Sequence, residues 1–560
     1  MIIAEVKSSS KCKGEYSVFL TFPYNVNIIN ILRDLTNRYW HPEEKIWELS
    51  IKSFKQFLEK LDVDDIKIID NENILAKENE TKIIDTIPED YQFKTTPFEH
   101  QLVGIKYGLE HSNFLLNDEQ GLGKTMQVIN IACIKKELHN YQHCLIVCGV
   151  NGLKWNWKAE VEKHSKESAY ILGTRIKKNK SSIGSVQDRL EDLKNIDYLP
   201  YFIITNIETL RNDEVIKELK LLCKENKLNI IAIDEIHKCK SPTSIQGKAI
   251  LKLQADNMIA MTGTPLMNSP LDLYVPLKWI GEEEHNFYQF KNHYCVMGGY
   301  GGYEITGYKN LEQLSNELKS CSLRRLKNEV LDLPEKIYTT EFVEMTPKQN
   351  KIYKEVKMEI KENIDMIKSA VNPLTEMIRL RQATGYTGIL SSTIQESAKL
   401  DRLEELVDEI VESGNKAIVF SNWTSMTNPI YQRLKRYNPA YITGETKNRV
   451  EEQDKFMLDD DCKIIIGTTG AMGTGLTLTA ASYVIFFDEP WNRANREQAE
   501  DRAHRIGTKE NVNIIFLICK DTIDERIHQI VEDKGAMADM LIDGKITKQD
   551  KEELVDFLLS

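Results

Sequence analysis

The sequence has 560 residues, 41% hydrophobic and 28% charged, which is too long for one core and ordinary for several compact domains. Its apolar runs, such as Asn513 to Cys519, fall far short of a membrane span, and the start MIIAEVKSSSKCKGEY lacks the order of an export signal, so a cytosolic or nuclear chain with no membrane partner is expected. A net charge of -12 excludes a uniformly basic coat for nucleic acid, so any such site must be a local patch, with Arg324, Arg325 and Lys327, or Arg175, Lys177, Lys178 and Lys180, as candidates.

At the amino terminus Tyr16, Val18, Leu20 and Phe22 alternate as in a half-buried strand, and Ile28, Leu32, Leu35 and Tyr39 recur at helical spacing. Trp47 and Leu49 mark a second strand, and Phe54, Phe57, Leu58 and Leu61 line one face of a second helix, so residues 1–70 read as a small α+β domain. Residues 71–95, rich in Asp, Glu, Lys and Asn, read as a linker. From 96 to 280 the runs FLLN, HCLIVC, YFIITN, NIIAID and MIAMTG alternate with helical stretches, the pattern of a parallel sheet covered on both faces. Residues 281–395 are charged and mostly helical in pattern, apart from MGGYGGYEITGY, which reads as a hairpin or loop, and suggest a helical insertion. The runs KAIVFS, AYITG, KIIIGT, YVIFFD and VNIIFLIC repeat the α/β architecture over 396–530, and 531–560 reads as a helical tail. Ten cysteines include no CxxC pair, so buried thiols are expected and zinc is not.

In NDEQGLGKT an apolar strand feeds a Gly-rich turn and then a helix, which reads as a phosphate cradle formed by Asp118, Gly121, Leu122, Gly123, Lys124 and Thr125. Gly121 and Gly123 let backbone N–H groups approach phosphate oxygens, Lys124 brings a point charge, and Thr125 offers a Mg²⁺ ligand. Asp118 stands where the generic pattern has glycine. In NIIAIDEIHKCKS a buried strand ends in acids, placing Asp234 to hold Mg²⁺ and Glu235 to deprotonate an attacking water, with His237 able to couple the site to another lobe.

Together these motifs resemble the Swi/Snf family of helicase-like ATPases in helicase superfamily two, over about Pro97 to Arg526. DEQGLGKT, DEIH, MTGTPLMNSPLDLY, LRRLKNEVLDLPEK, IVFSNW and GTTGAMGTGLTLTAASYVIFFDEPWNRANREQAEDRAHRIG follow in the family's order. The resemblance implies two tandem RecA-like lobes, with ATP and Mg²⁺ as cofactors. It implies Gln101 as the adenine contact, aided by the preceding TPFEH segment, and Arg502 and Arg505 as arginine fingers ordered by Gln498. Gly473 and Gly475 would approach nucleotide or DNA, while Thr262, Thr264, Arg324, Arg325 and Trp491 are weaker candidates for coupling or DNA contact, Trp491 equally for core packing. Thr477 and Thr508 replace the family's usual Asn and Gln.

The stretch YSVFLTFPYNVNIINILRDLTNRYWHPEEKIWELS resembles the HARP module of annealing helicases, the alternative being an unrelated accessory domain. The expected function is a DNA-dependent ATPase that tracks on duplex, forked or branched DNA and remodels or reanneals junctions. Displacement of DNA-bound proteins is the alternative, and a clamp that binds ATP without turnover is a third. A monomer working with single-strand-binding or replication proteins is expected.

Overall fold

The computed structural model describes residues 2–533 and Phe557, apart from 11–15, 34, 36–37, 62–65, 72–73, 76–84, 150–152, 178–179, 264–268, 299–303, 332, 364–373, 474 and 509. The amino-terminal unit is a five-stranded sheet in the order 38–41, 46–50, 16–21, 2–8, 66–69. Its helices Val26–Arg33 and Ile51–Lys60 share a core with Val18, Leu20 and Leu49. The helical reading through Tyr39 is corrected. The helix ends at Arg33, and Tyr39 lies in the strand Arg38–His41, where Trp40 pairs across strands with Trp47 at a centroid separation of 5.2 Å. Aromatic cross-strand pairing outweighs a spacing that two structures share.

The end of the expected linker belongs to the first lobe: Ile87, Tyr91 and Phe93 pack on its core, and the Tyr91 hydroxyl donates to Asn130 at 3.1 Å. That lobe is built on seven parallel strands ordered 322–323, 113–116, 257–261, 230–233, 144–148, 202–206, 169–171. The second lobe has six parallel strands ordered 336–343, 512–519, 483–486, 417–421, 464–468, 440–442. The central strands read as unbroken apolar runs because helices cover both faces, giving each sheet two cores.

Residues 281–395 do not form a separate insertion. Phe290, Tyr294, Leu314 and Cys321 join a first-lobe core, and Ser322–Leu323 adds an edge strand to that sheet. Lys336–Val343 instead pairs in parallel with Val512–Cys519, placing the crossover between lobes in about a dozen residues. Helices Pro347–Glu362 and Leu374–Gly385 then pack with Ile523–Asp533. The Gly/Tyr-rich stretch contains an antiparallel hairpin, Cys295–Gly298 with Glu304–Tyr308. Among the described residues, no helix is long and apolar enough to cross a membrane.

Candidate active site between the lobes

The strand Asn113–Leu116 leads into the glycine turn and the helix Lys124–His139. Gly121 and Gly123 hold φ values of 87° and 77°, and a Cβ on Gly123 would stand 2.2 Å from Gln101 Nε2. The positive φ values favour glycine, and the turn sets its backbone at the helix start, where N–H groups can face an anion. Lys124 folds back on this loop, donating to the carbonyls of Asp118 at 2.6 Å and Glu119 at 3.2 Å. Burial draws its pKa down, while Glu235, Asp118 and Asp234 oppose that shift. Gln101 donates to the Leu122 carbonyl at 3.2 Å and accepts from the Phe98 N–H at 3.0 Å, with His100 also on the Leu122 carbonyl. The half-exposed Phe98 ring lines one cavity with Gln101 and Lys124.

The strand Ile230–Ile233 delivers Asp234 and Glu235 to the carboxyl edge of the sheet, where ligands bind in open α/β folds. Trp157 Nε1 donates to Asp234 Oδ2 at 3.0 Å. Burial, then the neighbouring Glu235 carboxylate, raises the Asp234 pKa. Glu235 has φ 54°, a left-handed conformation unusual for a residue with a side chain, and its buried Oε2 makes no hydrogen bond. His237 Nδ1 lies 3.2 Å from that oxygen and 3.0 Å from Thr262 Oγ1. A Cβ on Gly149 would come within 2.7 Å of Glu235 Cβ, and one on Gly263 within 2.3 Å of Gln120 Cγ, so both glycines make room for the site.

From the second lobe, the segment following helix Arg493–Glu500 sends Arg502 and Arg505 into the cleft. Arg502 Nη2 donates to Gln120 Oε1 at 2.9 Å and Nη1 to the Leu476 carbonyl at 3.2 Å. Burial, then Arg505, lowers its pKa to about 10. Arg505 donates to Thr477 Oγ1 at 2.8 Å, and its N–H to Thr508 Oγ1 at 3.0 Å, so both departures from the family pattern serve this arginine. The two lobes enclose a cavity of about 330 Å³. It collects Gln101, Lys124, Thr125, Glu235, Arg502 and Arg505, and Asp234 also lines it.

Other expected residues are placed elsewhere. Asp118 is fully buried and accepts from Arg325 Nε at 2.9 Å, so it braces the loop from behind. Arg325 also reaches Gln127 Oε1 at 3.0 Å; it is a buried strut and is removed from the basic patch. Lys327 is likewise buried, 2.7 Å from Asp501. Arg324 is the exposed member of that run. The alternative patch is partly neutralised, since Arg175 pairs with Asp188, Glu191 and Asp192; Lys178 falls outside the described residues.

Gly473 does not line the cavity, where Gly475 does; a Cβ on Gly475 would meet Leu153 of the other lobe at 2.2 Å. Gln498 contributes its carbonyl, which accepts from Arg502 Nε at 3.0 Å. Leu122 is buried beneath the loop. Trp491 and Trp423 flank the buried Arg381 guanidinium at 5.3 and 4.7 Å. Thr264 falls outside the described residues. Sequence reasoning missed Gln120, Trp157 and Gly149; Gln120 lay within the quoted loop motif, whereas the others act across the fold.

The model of the SNF2-related domain matches residues 24–389, and that of the helicase conserved C-terminal domain matches 398–507. An uncharacterized ATP-dependent helicase of Mycoplasma pneumoniae is 30% identical, over 89% of this chain and 46% of its own length. The mouse DNA annealing helicase and endonuclease ZRANB3 is 27% identical, over 86% of this chain and 44% of its own length. The chain thus spans less than half the length of these two relatives. The solved Sulfolobus solfataricus SWI2/SNF2 ATPase core in complex with dsDNA aligns at 25% identity, covering 84% of this chain and 99% of that one, with a TM-score of 0.37. With one family model spanning the whole first lobe and the crossover, together with most of the amino-terminal unit and the start of the second lobe, and the other spanning most of the second lobe, the chain belongs to the SNF2-related family and carries a helicase C-terminal domain.

Proposed function

We propose that the cleft binds and hydrolyses ATP and that the chain is a DNA-dependent motor that tracks on duplex or branched DNA and remodels forks. The observation that carries this reading is the meeting of Lys124 and Glu235 from one lobe with Arg502 from the other in a single cavity. The names of the relatives, an ATP-dependent helicase and a DNA annealing helicase, agree with it.

Phosphates entering the glycine turn would meet backbone N–H groups and draw Lys124 away from the carbonyls of Asp118 and Glu119. Phe98 and the remaining N–H and lone pair of Gln101 suit an adenine at the outer end. The Thr125 hydroxyl and Asp234 carboxylate suit a divalent cation, and Glu235 Oε2 beside them, which makes no hydrogen bond, leaves an acceptor for a proton from water. When bound, Mg²⁺ supplies positive charge to the β- and γ-phosphates. Glu235 takes the proton of the attacking water, and Arg502 and Arg505 stabilise charge on the transferring phosphoryl group from across the cleft. Loss of the γ-phosphate removes what the two lobes hold in common, so closure and opening alternate with turnover.

Motion on DNA follows from that cycle if each lobe grips the backbone, and affinity then falls steeply with salt. The amino-terminal HARP-like unit, touching the first lobe through Ser50 and Glu284 at 3.2 Å, is assigned the choice of forked over linear DNA. The test is ATP turnover with forked, duplex or single-stranded DNA, before and after removal of residues 1–70, together with a fork-regression assay. Fork preference lost with that unit is the expected result; equal stimulation by all three DNAs would overturn fork remodelling and leave the ATPase reading standing.

A further inference from the structure

The crossover between the lobes carries two cations separated by one residue and tied to opposite lobes. Arg325 is anchored on Asp118 in the first lobe, and its carbonyl accepts from the Glu119 N–H at 3.0 Å. Lys327 donates its own N–H to Glu119 Oε2 at 2.8 Å, yet its side chain crosses to the second lobe. There Nζ lies 2.7 Å from Asp501 Oδ1 and donates to the His504 carbonyl at 3.1 Å. Asp501 immediately precedes Arg502, and His504 immediately precedes Arg505. The Lys327 stem also rests on the phosphate loop: a Cβ on Gly121 would stand 3.2 Å from both Lys327 Cε and Arg505 Cβ.

We propose that Lys327 is a positioning residue, which through Asp501 sets the separation between the segment bearing Arg502 and Arg505 and the phosphate loop when the lobes are closed. The pair is buried, with side-chain exposures of 7% and 6%, so its geometry is little loosened by solvent. Lys336, 3.0 Å from the same Asp501 oxygen, holds the acid from the second lobe, and Lys327 links it to the first. The inference rests on the reading of the cleft as an ATPase site.

The experiment compares the full chain with Lys327→Met and Lys327→Arg. Turnover of ATP should fall about 10- to 100-fold in Lys327→Met and recover to within about threefold of the parent in Lys327→Arg, as expected when geometry rather than chemistry is lost. The dissociation constant of a fluorescent ADP analogue should stay within about threefold in both, because Met and Arg each keep an unbranched stem against Gly121 of the phosphate loop. Small-angle scattering without nucleotide should show a larger radius of gyration in Lys327→Met only. Unchanged turnover, parallel loss of nucleotide affinity, or failure of Lys327→Met to fold would each overturn the proposal, since each lobe keeps its own cores. A parent chain that hydrolyses no ATP refutes the ATPase reading instead, and scattering still decides whether Lys327 sets the lobe spacing.

Discussion

Arg502 Nη2 donates to Gln120 Oε1 at 2.9 Å, so a second-lobe guanidinium rests on a side chain of the first lobe's phosphate loop. Its pKa, lowered to about 10 by burial and by Arg505, still leaves it charged at neutral pH. Replacing it with Ala should cut ATP turnover about 10²- to 10⁴-fold while the affinity for a fluorescent ADP analogue changes only a few-fold. Lys at this position should rescue little, because an ammonium cannot reproduce the fork that spans Gln120 and the Leu476 carbonyl. Steady-state turnover beside equilibrium nucleotide binding checks this, and a loss of less than about tenfold would remove Arg502 from the role.

Glu235 presents a carboxylate oxygen that makes no hydrogen bond, from a left-handed backbone position. Glu235→Gln keeps the shape and removes the base, so single-turnover hydrolysis should slow by about 10²-fold or more while ATP still binds. Gly149→Ala tests placement without touching the carboxylate. The added Cβ would meet Glu235 Cβ at 2.7 Å and force a shift, so hydrolysis should fall about tenfold with the thermal midpoint moved by only a few degrees. Normal hydrolysis in Gly149→Ala would mean that the position of Glu235 is not critical.

The strands beneath these residues were legible because burial on both faces imposes a pattern that sequence displays directly, as in Ile230–Ile233 and Ala417–Ser421. Lys336–Val343 was not legible. It is an edge strand whose Ile337, Tyr338 and Phe342 are 42%, 52% and 60% exposed, with threonines between them, so it shows neither a continuous run nor a clean alternation. The same contrast holds in the site. Lys124, Asp234 and Glu235 sit in short runs whose chemistry is local, whereas Gln120 meets Arg502 across 382 positions of sequence. Charge alone also misleads: in the run Arg324, Arg325, Lys327, two of the three cations are buried on acids.

Arg325 therefore offers a test between strut and DNA contact. Removing it by Arg325→Met leaves the fully buried Asp118 without its guanidinium partner, and breaking a buried pair in this way costs about 3–5 kcal/mol. The expected outcome is a clear fall in thermal midpoint, with the slope of log DNA affinity against log salt unchanged. A phosphate contact would instead reduce that slope by about one and leave stability nearly intact.

His237 makes a prediction in pH. Burial, then the nearby Lys238, lowers its pKa to about 4, so the imidazole bonded to Thr262 stays neutral through the physiological range. The unfolded chain takes up this proton near pH 6.5, whereas the folded chain resists it until about 4. The histidine's contribution is therefore complete above about pH 6.5 and is lost progressively as pH falls towards 4. Asp234, whose pKa burial raises, acts with the opposite sign over the acid range, so the absolute pH profile mixes the two. Comparing the parent with His237→Gln isolates the histidine: between pH 7 and 5 the parent should lose more unfolding free energy than the variant, measured by denaturant titration at each pH. Equal losses in the two chains would mean that His237 titrates alike in the folded and unfolded states, and that its neutral hydrogen bond to Thr262 is not what holds this part of the cleft in place.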